Sequence, residues 1–154
     1  NVGEKIIYLS PKGKKFDQEI AKSLSKQNNI NIICGHFEGV DERLVTTRNI
    51  EEVSIGDYVL SGGEIAAFVI LDSILRLIPG VLGNQNSTKS ETFENGLLEY
   101  PQYTKPKIWE GKSVPEVLFS GDHAKIKSWR LSQSEAITRR QRPDLWKKYL
   151  EKKK

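Results

Sequence analysis

Val53 to Glu64 reads VSIGDYVLSGGE, with glycines at 56, 62 and 63 and carboxylates at Asp57 and Glu64. Loops that cradle nucleotide phosphates set a lysine beside their glycines, as G-x-x-x-x-G-K-[ST], or space them as G-x-G-x-x-G, and neither pattern occurs here. Glycine lets backbone N–H and C=O groups come close to a flat ring, and Ile55, Val59 and Leu60 could sandwich one. A helix beginning after Gly63 would ordinarily attract an anion, yet Asp57 and Glu64 occupy that region and Glu38 lies in the neighbouring stretch CGHFEG, so an anion would be repelled. A nucleoside bearing positive charge, such as a sulfonium, fits better. Any one of the loops YLSPKG, CGHFEG and SIGDYVLSGGE could be a plain turn. All three follow strand-like runs, and the carboxyl edge of a sheet in α/β folds is where ligands bind. Further on, Asp72 and Arg76 stand four residues apart on one face of a helical pattern, either as a structural ion pair or with the Arg directed into a site beside the glycine loop. One Cys and two His allow no disulfide framework and no clustered zinc ligands, so no metal site is expected.

The elements that must position these residues alternate. KIIYL (Lys5 to Leu9) is a short β-rich run, followed by a helical spacing of Phe16, Ile20 and Leu24 behind an Asp17 cap. INIIC (Ile30 to Cys34) is a second strand, and EEVSIGDYVL supplies one or two more, broken at Gly56. GEIAAFVILDSILRLIPG predicts a helix from about Gly63 to Ile78, apolar on nearly every side and therefore buried, stopped by Pro79 and Gly80. Strands alternating with helices predict an α/β fold with a mostly parallel sheet. Residues 84–118 are polar, proline-punctuated and aperiodic, which predicts a long connection. Beyond them Asp122 caps a helix carrying Ile126, Trp129 and Ile137, and Pro143 opens another. Three regions follow: residues 1–83, an α/β domain; residues 84–118, a linker; residues 119–154, a small helical end.

Charge divides along the same lines. Residues 121–154 hold 11 Lys and Arg against 4 Asp and Glu, a net +7, while the first 120 residues carry −3. Basic helices interleaved with Trp129, Trp146 and Tyr149 have the footprint of a nucleic-acid contact, or of a solvated helix with a lysine tail. At 154 residues and 37% hydrophobic the chain can bury a real core in water. No apolar run approaches the ~20 residues that span a bilayer, and no signal-peptide pattern opens the chain, which sets a reducing, cytoplasmic expectation with no membrane partner. The chain starts at Asn1 and contains no Met, which reads as a piece of a longer protein.

The stretches YLSPKGKKFDQ, CGHFEGVDERL, SIGDYVLSGGE, RLIPGVLGNQNS, TFENGLLEYPQYTKP and LFSGDHAKIKSWRLSQS together resemble the bacterial tRNA (guanine-N1) methyltransferase family, from near residue 4 to about residue 146. Members methylate the guanosine immediately 3′ of the anticodon. The resemblance implies a fold of the knotted (SPOUT) methyltransferase superfamily, with a deep trefoil knot that periodicity could never reveal. It implies S-adenosyl-L-methionine held by three loops. Carried over, the binding positions are Tyr8, Leu9, Ser10, Pro11 and Gly13; then Gly35 and Glu38; then Ser54, Ile55, Gly56, Asp57, Tyr58, Val59, Leu60, Gly62 and Gly63. It further implies magnesium for activity, with no protein site identifiable, and a homodimer whose active site combines the knot of one subunit with the linker and helical domain of the other. tRNA is the implied partner, with Lys125, Lys127, Arg130, Arg139 and Arg140 supplying much of the charge.

Methylating guanine N1 requires removal of its proton, which pushes negative charge toward O6; one carboxylate and one cationic donor suffice. By resemblance these are Glu91, where the family usually has Asp, and Arg76. Two further departures are His36 in place of a common Arg and Ala66 in place of a common Pro. The preceding segment of family chains, including the first strand, has no counterpart here. The competing readings are a non-catalytic RNA-binding module with incomplete cofactor loops, and a knotted RNA methyltransferase acting on another nucleotide. The match at every cofactor position argues against the first, and GLLEYPQYTKP against the second.

Overall fold

In the computed structural model, which describes residues 5–81, 92, 93 and 95–153, the β-rich run at Lys5 becomes β1, Lys5–Lys15, the central strand of a sheet. β2 (Ile30–Cys34) and β3 (Glu51–Ser54) flank it, both parallel to it. Ile7 sits opposite Ile32 on one side and Glu51 on the other. The ladder with β3 is interrupted, because both Leu9 and Lys14 align with Val53, so Ser10 to Gly13 bulge out of it. At the return of the bulge a Cβ on Gly13 would sit 2.3 Å from the Glu52 carbonyl carbon. Only a residue without a side chain lets the two backbones approach so closely.

Three helices accompany the sheet. α1 (Gln18–Leu24) is capped as its sequence predicts, the Asp17 carboxylate accepting from the Ile20 N–H at 2.9 Å. α2 (Glu42–Thr47), capped by Asp41, is absent from the sequence reading. It is six residues long and buries only Val45, too little to leave a period. α3 (Glu64–Leu75) starts after Gly63. Ala66, Ile70 and Ile74, four apart, face a core of Ile7, Leu9, Leu24 and Val53. Each large apolar side chain so buried contributes roughly 1.5–3 kcal/mol.

Two expectations about α3 are corrected. α3 ends at Leu75 rather than Ile78, with Arg76 at its C-cap; the Leu77 and Ile78 N–H groups then bond to Ile74 and Leu75, the tighter i→i−3 pattern of a terminating turn. α3 is not buried all round: Ile65 is 62% and Phe68 68% exposed, because only the stripe through Ala66 meets the core. Of the one or two strands read in EEVSIGDYVL, one forms, β3, and it ends before Gly56. That glycine has φ +155° and the chain bends through Tyr58.

The chain divides into two compact units, residues up to 85 and residues from 86 onward. The described part of the expected linker lies in the second unit and is not structureless. β4 (Ile108–Trp109) and β5 (Lys112–Ser113) form an antiparallel hairpin. Glu110 and Gly111 between them have φ 48° and 74°, the two positive values that a tight hairpin turn requires. A 3-10 turn, Glu116–Phe119, follows. α4 (His123–Gln141) is capped by Asp122, and α5 (Pro143–Lys152) carries Pro143 in its first turn. Thr138 of α4 is fully buried; its hydroxyl donates to the Ser134 carbonyl at 2.7 Å and accepts from the Leu98 N–H at 2.8 Å. Glu135 joins α4 to α5, accepting from Tyr149 at 2.8 Å and Lys153 at 3.1 Å.

Candidate functional site

The bulge within β1 and the stretches after the carboxyl ends of β2 and β3 surround one cleft of about 430 Å³, a size typical of small-molecule sites. β1 contributes Tyr8, Leu9, Ser10 and Pro11. The Ser10 hydroxyl accepts from the Lys12 N–H at 3.2 Å and so holds the bulge. After β2 the chain reverses through Phe37 and Gly39, at φ 51° and 95°, with the Gly39 N–H donating to the His36 carbonyl at 2.9 Å. Gly35 and Glu38 line the cleft from this turn. The Tyr8 hydroxyl lies 2.8 Å from where a Cβ would stand on either Gly35 or Gly39, so the phenol closes over both glycines and no larger residue fits under it.

From β3, the buried Ser54 hydroxyl bonds both the N–H and the carbonyl of Gly56, at 3.2 and 3.1 Å, fixing the bend that presents Ile55, Gly56, Tyr58, Val59 and Leu60 to the cleft. Gly62 and Gly63 complete it. A Cβ on Gly63 would fall 2.8 Å from the Cys34 Cα, which shows how tightly the start of α3 packs on the end of β2. Of the sixteen positions carried over by resemblance, Gly13 and Asp57 do not line the cleft. Gly13 lies against the backbone of β3, and the Asp57 carboxylate stands 3.4 Å from Lys15 in solvent.

The lining also includes residues that the sequence reading passed over as site residues, among them Lys12, His36, Glu42 and Glu52. Glu42 rides on the unforeseen α2, and Glu52 lies in mid-β3. Three carboxylates, Glu38, Glu42 and Glu52, therefore face one lysine and His36, a balance that favours a cationic ligand. His36 Nε2 lies 2.5 Å from Glu64 Oε1, tying the β2 turn to the start of α3 above Gly62. The Glu64 carboxyl is held below its ordinary value, first by its own backbone N–H against an opposing push from desolvation, and then by His36. Burial, followed by the Glu64 charge, pushes the Cys34 thiol up. A thiol so placed stays protonated at neutral pH and is no nucleophile. Among the described residues no group of three or more His, Cys, Asp or Glu is placed to hold a metal ion.

Arg76 lies outside the cleft lining, at the far end of α3, some ~20 Å along the helix from Gly63 at 1.5 Å per residue. Glu91 lies outside the described residues. Lys125, Lys127, Arg130, Arg139 and Arg140 all ride on α4 and all are exposed, but they do not form one stripe. Lys127 and Arg130, three apart, share a face; Lys125 and Arg139 point to the other side. Lys125 is also paired with Asp122 at 3.2 Å. Among the described residues no helix is long and apolar enough to cross a membrane.

Comparison with known proteins fits this geometry. Residues 1–148 match the family model described as tRNA (Guanine-1)-methyltransferase TrmD. The chain is 76% identical over 147 residues to a tRNA (guanine-N(1)-)-methyltransferase of Pelagibacter ubique (strain HTCC1062), covering 96% of this chain and 64% of that protein. It is 57% identical over 143 residues to the protein of the same name from Bartonella tribocorum (strain CIP 105476 / IBS 506), covering 93% and 62%. For the Brucella canis (strain ATCC 23365 / NCTC 10854 / RM-666) protein the figures are 54% over 147 residues, 96% and 60%. The chain spans less than two thirds of the length of each of these relatives. A match across nearly the whole chain, at these identities and with the glycine loops gathered at one sheet edge, means that the chain belongs to the tRNA (guanine-1)-methyltransferase family.

Proposed function

We propose that the protein transfers a methyl group from S-adenosyl-L-methionine to N1 of the guanosine immediately 3′ of the tRNA anticodon. The observation that carries this reading is the single cleft built by three glycine loops, apolar at Ile55, Val59 and Leu60 and acidic at Glu38, Glu42 and Glu52. When bound, the cofactor supplies an electrophilic methyl group on a sulfonium. The residues of the chain do the rest. Backbone groups at Gly35 and from Ser54 to Leu60 hold a flat base, which glycine permits because no Cβ intrudes. The three glutamates complement a positive charge, and the Tyr8 phenol and the Ser54 hydroxyl keep the loops in shape. Glu91 accepts the proton from N1, and the Arg76 guanidinium supports the charge that grows on O6. These two roles rest on the resemblance and on what the reaction needs.

The same reading includes a deep trefoil knot in the cleft-bearing unit, a homodimer and a cytoplasmic setting. The exposed apolar residues of α3 support a covered face, since an isolated soluble chain gains nothing from presenting Phe68 to water. Titration calorimetry on the full-length protein tests the cofactor: S-adenosylmethionine and its demethylated product should each bind at one site, and Gly35→Leu should abolish both events by driving into Tyr8. A tRNA with adenosine in place of the target guanosine should receive no methyl group. Absence of cofactor binding, or methylation of that altered tRNA at the same position, overturns the reading.

A further inference from the structure

The geometry points to a second ligand site, wholly within the unit from residue 86 onward, that takes one unstacked nucleotide of single-stranded RNA. A cleft of about 500 Å³ there is lined by Tyr100, Tyr103 and Phe119 together with Lys105, Lys107 and Arg130, and by no carboxylate. The glycine-loop cleft has the opposite balance. Two of the cations rest on aromatic rings: Arg130 Cζ stands 4.8 Å from the Tyr100 centroid and Lys107 Nζ 4.9 Å from that of Phe119. A cation–π contact positions a side chain without neutralising it. Among the described residues none of the three cations is paired with a carboxylate, so their charge remains available to a phosphate.

Charge alone would accept any anion; the rings narrow the choice. Tyr103 is 45% and Phe119 56% exposed, although Tyr103 also leans on Trp129 with ring centroids 6.4 Å apart. Exposed aromatic surface beside unneutralised cations is the combination by which proteins hold single-stranded nucleic acid, a base stacking on the ring and its phosphate meeting the cation. An inorganic anion would have no use for the rings, and an acidic peptide offers them no flat partner. Arg130 lines this cleft and a neighbouring one that contains Lys127 and one carboxylate, Glu99, which accepts from the Gln102 amide at 2.6 Å, so a bound strand meets one further cation of α4, Lys127, beyond the aromatic cleft. The inference rests on the tRNA reading above and adds to it a site for a base rather than for phosphates only.

Binding of a single-stranded oligouridine and of tRNA to the full-length protein, measured across salt concentrations, tests it. Tyr103→Ala should weaken oligouridine binding by about fivefold to a hundredfold, the usual worth of one stacked base, while Tyr103→Phe keeps the wild-type affinity. Lys105→Glu is exposed and does not disturb the Tyr103–Trp129 packing; it should weaken binding and flatten the salt dependence by at least ~0.7 in slope. Cofactor affinity should be unchanged in all three. If the wild type binds and methylates tRNA but Tyr103→Ala and Lys105→Glu hold oligouridine as tightly as it does, the pocket inference fails and the tRNA reading stands. If the wild type binds neither RNA, the tRNA reading fails, and the pocket with it. A polyglutamate peptide bound as tightly as oligouridine, and lost in Lys105→Glu but not in Tyr103→Ala, would overturn the inference by marking a groove for any polyanion.

Discussion

Asp144 illustrates how local the electrostatics of this chain are. Its carboxylate accepts from Arg142 at 2.6 and 2.9 Å, and that contact, ahead of every other influence, lowers its pKa to about 2. A depressed carboxyl adds stability above its ordinary value and loses it as the pH falls through the folded one. The support that Asp144 gives the first turn of α5 should therefore vanish between about pH 4 and pH 2. Carbon-detected titration of the Asp144 carboxyl should show the low midpoint in the wild type and a return toward the ordinary range in Arg142→Ala. Catalysis offers a harder test at the same scale. Glu91→Ala should lower single-turnover methylation by about 10² to 10⁴, the range of a general base, and leave cofactor affinity nearly unchanged. Glu91→Asp should be tolerated, because it restores the family's residue. Full activity in Glu91→Ala would hand the role to another group. What could be seen of the cleft from sequence was most of its glycines and Glu38, since special backbone demands restrict residue type, whereas Asp57 and Glu64, read from the same pattern, stand outside the lining. Glu42 and Glu52 could not be seen, because a charged residue in a strand or a short helix looks the same whether it faces a cavity or water.

Among the elements, β2 and the caps of α1 and α4 were legible, whereas the continuation of β1 past Leu9 to Lys15, the β4–β5 hairpin and burial were not. INIIC is β2 to the residue and Asp17 caps α1, because a β-branched run and a cap are local preferences. The apolar run of α3 predicted burial on every side; the structure buries one stripe, since which faces of a helix are covered depends on partners that its own sequence does not name. Ile70 lies at the centre of that stripe with no exposed surface. Ile70→Ala should cost about 2–5 kcal/mol in denaturant unfolding, the transfer of the lost carbons plus the cavity they leave, whereas Phe68→Ala on the open side should cost far less. The second unit has a matching weak point. Thr138→Val keeps the shape of the side chain but leaves the Leu98 N–H without its acceptor, a loss of about 1–3 kcal/mol for a buried donor. A Thr138→Ser variant, which keeps the hydroxyl, should recover most of it. Nothing in the spacing of α4 marks position 138, for the partner lies forty residues away.

For the molecule as a whole, charge partition was the most legible property and association the least. The +7 of residues 121–154 appears in the structure as cations spread over α4 and α5, those of α4 on more than one face, which suits wrapping by a phosphate backbone better than one flat contact. If tRNA is the partner, affinity should fall with a log–log salt slope near −0.9 for each duplex phosphate neutralised, and Arg139→Ala with Arg140→Ala should remove up to two such contacts. A flat salt dependence would exclude the helical end as the RNA surface. Sedimentation of the full-length protein should give a dimer; a monomer at micromolar concentration would leave the apolar face of α3 without the explanation offered for it.

The ring pair Tyr103–Trp129 has an optical consequence. Every tryptophan of the chain, at positions 109, 129 and 146, falls after residue 86, so the indoles of this chain all belong to the second unit. A base entering the aromatic cleft should quench their emission through Trp129. The size of that quenching in wild type and in Tyr103→Ala would then report base entry by light alone, and its time course becomes a question for stopped flow.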